Sequence, residues 1–177
     1  MTRVKVLGLG NVLLGDDGLG PYVIQVLLAQ WEFPPAVEVR DLGTPGLDLI
    51  PYVSEADALV LVDTVRADGR PGELRRYGLD DLLHSPLPAR VSPHDPGLQE
   101  ALFALEFERT APADVTLIGV IPGESKRRPG LGTSVHAAVP RVVEAVVREL
   151  ERLGVPPLPR VRPEEPDIWW ERRPCTS

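Results

Sequence analysis

A chain of 177 residues with 43% apolar and 25% charged side chains has the size and make-up of one globular domain, and a domain that long buries roughly 70% of the surface its unfolded chain exposes. Its formal net charge of −7 has the wrong sign for neutralising phosphates, which excludes nucleic acid as the main partner. No apolar run approaches the roughly 20 residues that span a bilayer, and the single cysteine, Cys175, cannot form an internal disulfide.

The opening MTRVKVLGLGN has a basic start but runs straight into a strand and turn without a small-residue cleavage site, so the chain is expected in the cytoplasm and off the membrane. VKVLGL, residues 4 to 9, is the first predicted strand. It leads into GLGNVLLGDDGLG, residues 8 to 20, a glycine-rich turn that carries Asn11, Asp16 and Asp17. GPYVIQVLLAQW, 20 to 31, is a helical pattern with Val23, Val26, Leu27 and Trp31 on its apolar face. VEVRD, 37 to 41, is a second strand ending at Asp41, with Gly43 and Thr44 just beyond, and Asp48 to Ala56 suits a short helix. ALVLVD, 58 to 63, is a third strand, ending at Asp63, and the weaker GELRRYGL, 72 to 79, suits an edge strand. The loop SPHDPGL, 92 to 98, brings His94 to the start of a helix over LQEALFALEFE, 98 to 108. VTLIGVIP, 115 to 122, is the fourth strong strand. The basic loop GESKRRPGLG, 123 to 132, with Lys126, Arg127 and Arg128, reads by default as a solvated surface loop, with a grip on a partner as the alternative. Val135, Ala138, Val139, Val142, Val143, Val146, Val147 and Leu150 keep one face of a last helix over 135 to 150, with His136 early in it. After Gly154 comes a proline-rich tail that cannot continue the helix. The expected organisation is therefore a domain over 1 to 155 and a tail over 156 to 177, whose Trp169 and Trp170 are expected to pack locally or stay partly disordered ahead of docking on the domain or a partner.

Strands apolar on both faces, alternating with helices, predict an α/β fold: a mainly parallel five-stranded sheet between helices in one domain. Ligands of such folds sit at the carboxyl ends of the strands. Asn11, Asp16, Asp17, Asp41, Gly43, Thr44, Asp63 and His94 all fall at that edge. Each aspartate singly can be a helix cap or turn residue, and His94 or Asp95 can cap the helix that follows. Their joint placement favours a site. Carboxylates with an imidazole form a mixed oxygen and nitrogen donor set that suits zinc, nickel or another borderline divalent ion, with positions left open for water or substrate.

A nucleotide reading of the turn fails in detail. GxGxxG needs its third glycine at position 13, where Leu13 stands, and Asp16 and Asp17 would repel a pyrophosphate. No GK[ST] is present for a P-loop, and no GxSxG for a serine nucleophile.

GLGNVLLGDDGLG resembles the opening signature of the [NiFe]-hydrogenase maturation endopeptidases, and DLGTPG (41 to 46), LVLVDTV (59 to 65), SPHDPGL (92 to 98) and LIGVIP (117 to 122) follow in that family's order. The resemblance covers most of the first 155 residues and leaves the tail aside. It implies a protease that removes the C-terminal extension of a hydrogenase large-subunit precursor after nickel has been inserted, the nickel being carried by the substrate. It further implies that Asp17, Asp63 and His94 contact that metal, with Asp16 serving the turn or the helix start. Asp41 is the candidate for activating water, and Asn11, Gly43 and Thr44 are candidates for substrate binding. Resemblance and modest size together favour a monomer. A non-catalytic nickel-binding assembly chaperone is the rival reading. Peptidyl-tRNA hydrolase also opens with a strand and GLGN, but it continues with proline and glycine and then a histidine-asparagine pair, where this chain has VLLGDDG.

Overall fold

The computed structural model describes residues 2–45, 49–84, 95–123 and 128–172. Five strands, β1 (Val4–Leu9), β3 (Val37–Gly43), β4 (Ala58–Thr64), β5 (Leu74–Gly78) and β6 (Asp114–Val120), form one sheet in the order β3-β1-β4-β6-β5. The first four in that order run parallel, and β5 pairs antiparallel at the edge. β4 lies between β1 and β6, and every residue of its ALVLVDT run is buried, as the apolar stretch of a covered parallel sheet should be, with Asp63 and Thr64 buried at its end. At the margin β5 carries Arg75 and Arg76, charges that blunt an exposed sheet edge.

Helices α1 (Leu19–Gln30) and α5 (Thr133–Arg152) cover one face. There Val6, Val60 and Val62 pack with Val23, Leu27, Val142 and Val146. The apolar stripe predicted for the last helix is buried along its whole length. The other face takes α2 (Ile50–Val53), α3 (Leu79–His84) and α4 (Asp95–Phe107). Leu7, Leu9, Leu59 and Leu61 meet Val53, Leu82, Leu102 and Leu105 on that side. The result is the predicted α/β/α arrangement.

Several boundaries differ from the sequence expectation, α4 beginning at Asp95 ahead of Leu98 and β3 running on to Gly43. Trp31 was expected to close the first helix but instead opens β2 (Trp31–Glu32). The helix expected over 48 to 56 shrinks to α2, with Pro51 in its first turn. The residues after Gly78 leave the edge strand and form α3, whose turn is started by the Asp81 carboxylate accepting the Gly78 N–H at 2.8 Å.

The tail is the larger correction over residues 155–172. It was expected to pack locally or stay partly disordered, yet β7 (Leu158–Pro159) pairs antiparallel with β2. The Arg160 and Glu164 N–H groups donate to the carbonyls of Gln30 and Ala29, both at the end of α1. Further on, Trp170 is buried, while Trp169 packs edge-on against it and stays exposed. A proline-rich segment cannot form a helix, but it can lay an extended backbone along unpaired groups of a neighbour, and this one does. No helix among the described residues is long and apolar enough to cross a membrane.

Candidate active site

Parallel pairing brings the carboxyl ends of β1, β3 and β4 to one edge. Gly8 aligns with Asp41 on one side and Val62 on the other, so Asp63 stands one residue beyond that row. A register shift after Gly8 then sets Leu9 opposite Gly43 and leaves Leu42 as the extra residue of a bulge.

Asp17 reaches the same edge from the turn between β1 and α1. Residues Gly15–Gly18 form a single 3-10 turn whose four residues are all buried and which packs against β4. Gly10 makes that turn possible. Its φ is +132°, and a β-carbon there would lie 1.8 Å from the Asp17 carbonyl oxygen, so the strand end and the turn touch backbone to backbone. The Asn11 N–H donates to Asp17 Oδ2 at 2.9 Å, which aims the carboxylate back over the end of β1. Just downstream, α1 sits on the sheet edge itself, with Gly20 against Leu9 and the Val62 carbonyl.

Asp63 is 2% exposed and Asp17 8%. Buried carboxylates are rare unless something holds them, whether hydrogen bonds, counter-charges or a metal. Asp63 Oδ1 accepts the N–H of Thr64 at 2.7 Å. By strand alternation Asp63 follows Leu59 and Leu61 towards the α2–α4 face. Two buried carboxylates thus lie at one sheet edge as oxygen donors for a cation. The third predicted contact, His94, lies outside the described residues, immediately before α4. Among the described residues no group of three or more His, Cys, Asp or Glu side chains is placed to hold a metal ion.

The remaining candidates divide. Asp41 reaches the same edge but is exposed, and its carboxylate accepts the Gly43 N–H at 2.8 Å. Crowding by the surrounding protein raises its pKa above the ordinary carboxylate value, against the lowering effect of that N–H. Arg40 stacks on Tyr52 and Leu42 packs with the α2–α4 cluster, so alternation turns Asp41 to the opposite face from Asp63. Asn11 is largely occupied with the turn: its Oδ1 accepts the Leu13 N–H and its carbonyl the Leu14 N–H. The Gly43 carbonyl accepts the Gly10 N–H at 2.8 Å, tying β3 to the site turn, and Thr44 is exposed beside it.

Sequence reasoning gave Asp16 a local role, and here the structure differs. Its buried carboxylate caps no helix. It accepts the N–H of Gly123 at 2.7 Å and of Gly132 at 2.6 Å, joining the loops that follow β6 and precede α5. His136, left open between cleft and surface, is exposed and shares a 3.1 Å hydrogen bond with the Tyr22 hydroxyl. Away from this edge, Glu149 is buried between Arg76, Arg152 and Thr116. That cluster is structural and went unnoticed in the apolar stripe of α5.

The chain is an open α/β protein with acidic residues gathered at the carboxyl edge of its sheet, an arrangement that does not by itself fix an activity. The comparisons narrow it. A family model described as hydrogenase maturation protease matches residues 21–149. The hydrogenase 2 maturation protease of Escherichia coli is 33% identical over 159 residues, 89% of this chain and 96% of that protein. The hydrogenase expression/formation protein HoxM of Cupriavidus necator is 36% identical over 159 residues, 89% of this chain and 78% of its own length. Among solved structures, the hydrogenase maturating endopeptidase HybD from E. coli superposes with a TM-score of 0.83 at 33% identity, covering 90% of this chain and 98% of that one. The chain belongs to the hydrogenase maturation protease family. It is accordingly a peptidase.

Proposed function

We propose that this peptidase removes the C-terminal extension of a [NiFe]-hydrogenase large-subunit precursor already loaded with nickel, and that it recognises that nickel directly. The observation that carries the reading is the pair of buried carboxylates, Asp17 and Asp63, at one edge of the sheet in a chain of this family. Nickel belongs to the substrate and is not a resident cofactor. Asp17, Asp63 and His94 supply oxygen and nitrogen donors to it, a set that fits a borderline ion.

Catalysis then rests largely on orientation. Fixing the metal-bearing end of the precursor against a rigid turn holds the adjacent peptide bond in one place, and such placement lowers a barrier by up to about 7–11 kcal/mol in well-aligned cases. Asp41, which reaches the same strand edge from the opposite face of the sheet to Asp63, takes the role of general base. Burial raises its pKa, which strengthens it as a proton acceptor. Asn11 and Gly43 hold the surfaces on either side of β1, and Thr44 offers an exposed hydroxyl to the substrate backbone. The protein works as a monomer in the cytoplasm, where the precursor is made.

Intact-mass measurement of the precursor, with nickel supplied or withheld, tests this against wild type and His94→Ala. Loss of a C-terminal peptide only with nickel and only with wild type is expected. A nickel-binding chaperone would leave the precursor mass unchanged in every arm.

A further inference from the structure

Beside the Asp17 turn lies a pocket of about 240 Å³ that the reading above does not use. Its walls come from Gly15 and Asp16 of the site turn, Pro71 of the loop after β4, and Gly123, Arg128, Gly130, Gly132, Thr133 and Ser134 around the junction of β6 and α5. The volume falls short of the roughly 300–1,000 Å³ of a drug-sized ligand pocket and suits one or two peptide residues.

Asp16 fixes this shape. The carboxylate is 3% exposed and bonds to two backbone N–H groups more than a hundred residues away, so the pocket walls and the site turn move as one body. Gly72 adds a third seam, its N–H donating to Ile121 and its α-carbon seated against the Ser134 carbonyl. Adjacent residues of a 3-10 turn point about 120° apart. Asp16 therefore faces the pocket while Asp17 faces the end of β1, the two carboxylates leaving one turn in different directions.

Arg128 supplies the chemistry. Its carbonyl is bound by the Gly15 N–H at 2.8 Å, which anchors the residue at the pocket, and its side chain is exposed. No hydrogen bond or ion pair engages the Arg128 guanidinium among the described residues. By contrast, Arg75, Arg76, Arg148 and Arg152 all have carboxylate partners. In a chain of net charge −7, an uncommitted arginine beside a preformed pocket selects for an anionic group, and its planar fork matches a carboxylate.

We propose that this pocket is the subsite for the peptide flanking the scissile bond, with Asp16 as the positioning residue that holds it open and Arg128 as the contact for a carboxylate of that peptide. The inference rests on the proposed precursor substrate, and its test separates the two. The dissociation constant of nickel-loaded precursor is measured for wild type and Arg128→Glu, alongside the precursor mass. A second precursor carries Asn or Gln in place of each Asp and Glu of its extension.

Arg128→Glu is expected to weaken binding of the unaltered precursor by about tenfold or more while the thermal midpoint stays at the wild-type value, and to have little effect on the neutralised precursor. Equal affinities for wild type and Arg128→Glu would overturn the subsite, as would a loss of the same size on both precursors. Charge-selective binding without any mass loss would leave the subsite standing and remove the peptidase reading of it. Asp16→Asn, which keeps one acceptor oxygen of the two, is expected to raise KM with kcat retained. A fall in kcat that tracks a fall in thermal midpoint would mark Asp16 as structural only.

Discussion

Replacing Gly10 by Ala asks whether the site turn depends on backbone contact between β1 and the Asp17 segment. At Gly10 the φ of +132° is one that side-chain-bearing residues seldom adopt, and holding Ala there costs about 1–3 kcal/mol. A β-carbon 1.8 Å from the Asp17 carbonyl oxygen also forces that segment away, and overpacking of this kind costs typically ~1–3 kcal/mol. The sum, about 2–6 kcal/mol, is a large share of the ~5–15 kcal/mol that holds a domain folded. Gly43→Ala is the control at the same edge. Its φ is +57°, but nothing lies within 4 Å of the added carbon, so only the backbone term of about 1–2 kcal/mol applies. Urea unfolding of both variants gives the difference directly from midpoints at constant slope. The expected order is wild type, then Gly43→Ala, then Gly10→Ala, with precursor cleavage lost in the last. Equal stability of the two variants, or a Gly10→Ala protein that unfolds like wild type, would refute the account of the turn.

Asp17→Asn and Asp63→Asn each keep an oxygen for the Asn11 or Thr64 N–H, so both should fold with near-native midpoints while cleavage falls at least about a hundredfold, in line with losing a charged contact of ~2.7 kcal/mol or more. Ending the chain after Val155 removes the β2–β7 pairing and the buried Trp170, and should cost about 2–4 kcal/mol in urea unfolding, with a red shift of Trp31 emission. Leu102→Ala, at a fully buried site of α4, should cost about 2–5 kcal/mol without changing the precursor KM. Burial tends to raise the Glu149 pKa, but hydrogen bonds from Arg152 and Thr116 and the charges of Arg76 and Arg152 outweigh it and hold the carboxyl below its ordinary 4.5. Its contribution to stability is therefore complete above that value and lost as pH falls through the lower folded value. Glu149→Gln should flatten the acid limb of a stability-against-pH curve, and an unchanged limb would remove Glu149 from the account.

Much of this architecture is legible in the chain. ALVLV, 58 to 62, is apolar at every step because it lies between two strands and two helix layers, and the stripe from Val135 to Leu150 is long enough to fix both the helix and its face. Asp63 is legible because a buried strand ends in it, and Asp17 because the glycine-rich turn after β1 returns it to the same edge. Partners distant in sequence left no local trace. Nothing near Asp16 announces Gly123 or Gly132, because the contacts run to backbone N–H groups that every non-proline residue carries. Tail docking was hidden the same way: Arg160 and Glu164 bind α1 through their main chain, and the proline content that rules out a helix says nothing about where an extended segment lies. Glu149 escaped notice because the i+3 and i+4 spacing of apolar residues defines the helix face without requiring every residue on it to be apolar.

The central claim is that this protein touches the metal carried by its substrate. X-ray absorption at the nickel edge tests it most directly, on nickel-loaded precursor alone and on precursor frozen with equimolar protein before cleavage completes. The account predicts added oxygen or nitrogen neighbours around nickel with wild-type protein, and a spectrum like that of the precursor alone with the Asp17→Asn, Asp63→Asn double variant. An unaltered nickel environment in a wild-type complex that goes on to cleave would contradict it.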